Sequence, residues 1–203
     1  MQTFNKHPYP EYINQSATKL IIGTLPPARF CLNEQGNLIG PLENDDVKFY
    51  YGSKDNYFWP LISSVTNKSF DGGDVGIQQR KKFLDDNNIG ITDIIEQCLR
   101  NGTSAKDEDL HITEDRSIIK ILNKYPKIDT LIYTSEKVKS LICKNTGSYH
   151  RKGETSKKKT IILSGKSYSV IILFSPSPRA LQRLKGGNQT RIDQYQEVFK
   201  NDK

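Results

Sequence analysis

Short apolar runs, each closed by a glycine, a proline or a polar turn and followed by a stretch of helical period, recur along this chain. The runs Leu20 to Gly23, Ile89 to Thr92, Thr130 to Thr134, Thr160 to Leu163 and Tyr168 to Phe174 are rich in β-branched residues and predict strands. Apolar residues spaced three and four apart predict helices over Asn56 to Val65, Gln78 to Asn87, Asp93 to Arg100, Asp115 to Lys124, Ser135 to Lys144 and Thr190 to Asn201. Strand and helix thus alternate, which predicts an α/β fold around a mainly parallel central sheet. With no repeat, low-complexity tract or boundary signal, residues 1–203 read as one domain.

Sheets of this kind bind ligands beyond the carboxyl ends of their strands. Here those ends carry Gly23-Thr24-Leu25-Pro26-Pro27, Ile91-Thr92-Asp93, Tyr133-Thr134-Ser135 and Ser175-Pro176-Ser177-Pro178, so four loops could meet at one crevice. Cys31 to Lys48 has little periodicity and reads as a long loop, a feature that compact domains usually keep for function or movement. The Lys-rich stretch His150 to Lys159 reads as a surface turn.

Composition narrows the class. Hydrophobic residues make up 35% and charged residues 26% of the 203, ordinary values for a soluble globular chain. The amino terminus lacks a signal-peptide core and no run reaches membrane-spanning length, so no membrane partner is expected. The three cysteines, Cys31, Cys98 and Cys143, are odd in number and far apart, which predicts neither a disulfide framework nor a metal site and fits a reducing cytoplasm. The net charge is +7, unevenly spread: residues 150–203 hold twelve Lys or Arg against four Asp or Glu, a local +8 that leaves −1 for the rest. One basic face would favour a polyanion by releasing counterions from its phosphates, although solubility alone also explains such a run.

The segment Phe49-Tyr50-Tyr51-Gly52-Ser53-Lys54-Asp55-Asn56-Tyr57-Phe58-Trp59 holds the candidate chemistry. A tyrosine can stack on a flat ring while an amide offers both a donor and an acceptor. One of Tyr50 and Tyr51 is expected in the core and the other in the site; Phe58 and Trp59 are expected in the core. Asn56 taken alone reads as a helix N-cap. Asp93 is either a second catalytic carboxylate or, with Glu96, a capping box.

These segments in this order, Gly23 to Pro27, Tyr50 to Trp59, Gly90-Ile91-Thr92-Asp93-Ile94-Ile95 and Phe174 to Pro178, resemble the uracil-DNA glycosylase superfamily, most of all its hypoxanthine-DNA glycosylase and mismatch-specific branches. The likeness runs from about Lys19 to Arg179, and its specific part is aromatic-Gly-x-x-x-Asn-x-Phe-Trp. It implies a three-layer α/β/α domain and a monofunctional enzyme that hydrolyses the glycosidic bond of a flipped-out deaminated base, hypoxanthine or uracil, in base excision repair. It implies no cofactor and no metal, a damaged DNA as partner, and a monomer. Leu25 stands where the mismatch-specific branch has a water-holding Asn, so the resemblance moves the catalytic amide to Asn56. Gly23, Thr24, Leu25, Pro26, Tyr51, Thr134 and Ser135 would contact the base, with Tyr51 stacked on it. Ser175, Ser177, Pro178, Arg179, Arg183 and Lys185 would hold DNA, and Arg191 with them would sit on a flanking phosphate.

Related sequences often carry His-Pro where this chain has Ser53-Lys54-Asp55, and the loop from Cys31 to Lys48 is longer than usual. Those departures motivate an alternative, a nucleic-acid-binding module that keeps the fold without the chemistry. An enzyme of free nucleotides is disfavoured by the absence of a GxGxxG or P-loop pattern.

Overall fold

The computed structural model describes residues 2–101, 110–152, 159–182 and 187–200. Its main sheet has six strands in the order β3-β2-β6-β9-β8-β7. These are β2 (Lys19–Gly23), β3 (Ile89–Asp93), β6 (Thr130–Tyr133), β7 (Arg151–Lys152), β8 (Lys159–Leu163) and β9 (Lys166–Ile172). The strands β3, β2, β6 and β9 pair in parallel, while β8 and β7 extend the edge antiparallel. The β8–β9 hairpin turns through Ser164 and Gly165, both at positive φ, the conformation that suits a tight two-residue hairpin. β2 sits between two parallel neighbours and is buried on both faces, which is why it reads as an unbroken apolar run.

Side chains that alternate along each strand feed two cores. Leu20, Ile22, Leu131 and Tyr133 pack with α3 (Ile118–Lys124) and α4 (Glu136–Thr146); Ile21, Ile91 and Ile132 pack with α1 (Phe58–Thr66), α2 (Gly73–Asp86) and α6 (Gly187–Phe199). Helices therefore cover both faces, giving the three-layer α/β/α arrangement. Phe58 and Trp59 are both core residues, as expected. A four-residue helix, α5 (Pro178–Leu181), follows β9.

The largest departure from expectation is the segment Asp93 to Arg100, which is a strand and not a helix. β4 (Ile95–Asn101) lies between β1 (Gln2–Lys6) and β5 (Leu110–Asp115) in a separate antiparallel sheet. Register shifts at Ile95/Gln97 and Gln97/Cys98 interrupt the two-residue alternation, so Ile95 and Cys98 both face the core. Such irregularities turn a strand's apolar spacing into the three-and-four spacing of a helix. The Asp93–Glu96 capping box falls with the helix: Asp93 ends β3, and Glu96 pairs with Arg116. β1 and β5 carry mostly polar residues and gave no sequence signal.

Candidate functional site

The loop carrying Tyr51 and the end of β3 meet at Gly23, the last residue of β2. A Cβ there would lie 2.1 Å from Asp93 Oδ1 and 2.2 Å from Tyr51 Oη, so only glycine lets the two side chains approach this strand end. Tyr51 has φ +56°, a left-handed conformation that a bulky aromatic rarely adopts and that clusters at functional positions. Gly52 makes the turn possible, since a Cβ would fall 1.9 Å from the Val47 carbonyl.

Tyr50 and Tyr51 differ in burial. Tyr50 is buried, with its carbonyl accepting from Trp59 Nε1 at 2.8 Å and its hydroxyl donating to the Pro10 carbonyl at 2.9 Å. Tyr51 is half-buried, stacks on Phe58 at 4.4 Å and 23°, and donates its hydroxyl to Thr134 Oγ1 at 2.9 Å. Burial, then the Asp93 carboxylate, pushes the Tyr51 phenol well above its ordinary value, so it stays a neutral donor.

Asn56 is half-buried just before α1, and its Oδ1 accepts from Phe58 N–H at 2.9 Å. The N-cap of α1 is Tyr57, so Asn56 stands one residue outside the expected capping position; its bond to Phe58 N–H closes an Asx-type turn that fixes the orientation of the amide. The unusual Ser53-Lys54-Asp55 stretch is held by a polar network. Arg29 binds Asp46 through two nitrogens at 2.7 and 2.9 Å, Ser53 Oγ at 2.9 Å and Asp55 at 3.4 Å, while Asp46 Oδ1 accepts from Lys54 N–H at 2.9 Å. Burial alone would raise the Asp46 carboxyl. The Arg29 hydrogen bond and the N–H groups of Lys54 and Glu43 outweigh it and hold the carboxyl below its ordinary value. The long loop thus supplies the brace under the aromatic segment.

Sequence reasoning missed His7. Its ring is fully enclosed beside Tyr9 and Tyr50, and Nε2 lies 2.9 Å from Asp93 Oδ2. A buried polar pair linking the amino-terminal segment to the end of β3 leaves no periodic trace, and only the wide separation of the two residues in sequence hid it. A cavity of about 400 Å³ opens beside this pair, lined by His7, Tyr9, Leu32, Glu96 and Arg116; Tyr51 and Asn56 do not line it.

The remaining expected residues are spread around this centre. Thr24, Leu25 and Pro26 are half-buried, and the Gly23 and Thr24 carbonyls accept from Ile94 and Ile95 N–H. Thr134 is buried, and its hydroxyl also donates to the Ile22 carbonyl at 3.2 Å; Ser135 Oγ caps α4. The Pro176 carbonyl accepts from Tyr57 N–H at 3.0 Å, which joins the loop after β9 to the aromatic segment. Ser175 and Ser177 are half-buried, and Pro178 and Arg179 are exposed. Arg183 and Lys185 lie outside the described residues. Arg191, by contrast, is fully buried, with Nη2 3.3 Å from the Ser177 carbonyl, so it braces the loop from beneath and presents no charge to a surface ligand. Among the described residues no group of three or more His, Cys, Asp or Glu is placed to hold a metal ion, and no helix is long and apolar enough to cross a membrane.

With this geometry, comparison with known proteins is informative at the level of fold. No family model and no curated protein matches the chain. An NMR structure of a Methanosarcina acetivorans protein, provisionally named a uracil DNA glycosylase, superposes with a TM-score of 0.60 at 17% identity and covers 97% of each chain. The fold is uracil-DNA glycosylase-like.

Proposed function

We propose that the protein is a DNA glycosylase that hydrolyses the glycosidic bond of a deaminated base, hypoxanthine or uracil, swung out of the duplex. The observation that carries this reading is the convergence of Tyr51, Asp93 and Gly23 at one strand end, with Tyr51 held in a strained backbone conformation. A base within the stack is out of reach of a catalytic group, so the nucleotide must rotate out at a cost of a few kcal/mol, least for a weakly paired base. Tyr51 offers a ring for stacking, and Asn56, its amide oriented by the bond from Phe58 N–H, places water at the sugar carbon. Asp93 supplies negative charge near the cationic sugar that forms as the bond breaks. The base departs with the bonding electrons and water adds to the sugar, leaving an abasic site without a covalent lysine intermediate. Ser175, Ser177 and Arg179 would meet the DNA strand at the loop after β9, with the flanking residues Arg183 and Lys185 adding charge.

One observation favours the second reading, a binding module without chemistry. The Asn56 carbonyl is already engaged by Phe58 N–H, and Leu25 offers no group to hold water. A lesion panel separates the two. Duplexes with a single uracil, hypoxanthine or xanthine are incubated with excess protein and treated with alkali; strand scission above a heat-killed control supports the enzyme. Salt-sensitive binding without scission supports the module.

A further inference from the structure

One cluster takes no part in the contacts around Gly23. Cys143, on α4, is half-buried, and its Sγ lies 3.2 Å from Nδ1 of His150. The other ring nitrogen, Nε2, lies 3.2 Å from Oη of Tyr133, whose ring meets the imidazole edge-on at 5.5 Å and 86°. Tyr133 ends β6 and is fully buried, so its hydroxyl is a fixed post, whereas His150 is half-buried. A nucleophile, a base within reach and a third group that orients the base form the arrangement that activates a side-chain thiol. We propose that Cys143 is a nucleophilic, hydroperoxide-sensitive thiol, with His150 as its base and Tyr133 as the residue that positions that base.

The surrounding charges support the assignment. Burial, then Lys139 on α4 and Lys159 on β8, hold the imidazole below its ordinary value, with Glu136 opposing them. The ring is therefore neutral near pH 7 and can take a proton from the thiol beside it. Burial, then Cys143, pushes the Tyr133 phenol up, so it stays protonated and does not compete as a base. In the reaction Nδ1 removes the thiol proton and the sulfur attacks one oxygen of a hydroperoxide. The O–O bond breaks, the departing oxide takes the proton from Nδ1, and the products are the Cys143 sulfenic acid and water or an alcohol. Sulfur loses two electrons and the peroxide gains them. Cys31 and Cys98 are internal references. Both are buried, and burial pushes Cys31 up to about 12 and raises Cys98 as well.

The test uses the full chain with hydrogen peroxide at pH 7, dimedone to trap sulfenic acid, and peptide mass spectrometry. Cys143 should be labelled at least about tenfold faster than Cys31 or Cys98, and faster than N-acetylcysteine in the same tube. His150→Gln should slow it about tenfold, and Tyr133→Phe several-fold, with melting curves confirming that each variant is folded. Labelling no faster than N-acetylcysteine, or an unchanged rate in folded His150→Gln, would overturn the proposal. If His150→Gln does not fold, the wild-type pH–rate profile decides. A plateau reached at lower pH than for N-acetylcysteine supports the pair, and coincident profiles refute it. The outcome is independent of the base-excision reading.

Discussion

His7 Nε2 and Asp93 Oδ2, from opposite ends of the first half of the chain, meet at 2.9 Å in a nearly water-free position. The bond fixes one carboxylate oxygen and leaves the other beside Gly23 and Tyr51. His7→Phe keeps the ring packing but removes the donor, leaving a buried carboxylate unpaired at a cost of about 1–3 kcal/mol or more. Base release should fall about a hundredfold in Asp93→Ala, with DNA affinity within a few-fold of wild type. Single-turnover rates and binding isotherms measure the two separately; equal losses in both would contradict a role in the chemistry.

Asn56 has two roles that substitution can separate. Asn56→Asp retains an oxygen for Phe58 N–H but loses the amide nitrogen, whereas Asn56→Ala loses both and costs about 1 kcal/mol of stability from the lost hydrogen bond. If the amide serves chemistry, base release collapses in both variants while only the alanine variant melts early. Wild-type turnover in a folded Asn56→Asp protein would reduce Asn56 to a turn-forming residue.

For Tyr51, ring and hydroxyl make distinct predictions. Tyr51→Phe removes only the bond to Thr134 and should cost about 1 kcal/mol in denaturant unfolding. Tyr51→Ala removes the stacking surface as well, and preference for lesion over normal duplex should drop by about 1–3 kcal/mol. Competition binding with the two duplexes reads that preference directly.

At Gly23 even one methyl group is too much. Both side chains that it would strike are anchored, Asp93 by His7 and Tyr51 by Thr134, so neither can yield cheaply. Gly23→Ala should lose about 1–3 kcal/mol of stability together with base release. Calorimetry and the alkali assay check the pair.

The brace at Asp46 predicts an acid-labile stability. Its carboxyl is lowered in the folded state, so its contribution is fully present above the ordinary carboxylate value of about 4 and is lost as pH falls through the lowered value. Asp46→Asn should therefore be less stable than wild type at pH 7, and the gap should close below about pH 4. Urea unfolding at pH 7 and pH 3 tests this, and a gap that does not change with pH would contradict it.

The sequence made the parallel sheet legible because β2, β3, β6 and the second half of β9, Val170 to Ile172, are short apolar stretches followed by polar turns. It also put one of Tyr50 and Tyr51 in the core without saying which, and the Gly23 turn at a strand end. Two things escaped. The irregular register of β4 disguised a strand as a helix, and β1 and β5 were too polar to register. His7 escaped for a different reason: its partner is 86 residues away, and a single buried hydrogen bond leaves no local pattern. Arg191 shows the converse error, since a positive charge in a basic region carried no signal that its side chain is enclosed.

The hydrogen bond from Tyr57 N–H to the Pro176 carbonyl splices two segments far apart in the chain into one mechanical unit. Gln194 grips the second segment from below at the Ile172 carbonyl and the Phe174 N–H, and Arg191 adds a further clasp at Ser177. A push on the tip after β9 is therefore transmitted to the start of α1, so the loop after β9 at one side and the Asn56 amide at the other cannot be adjusted independently.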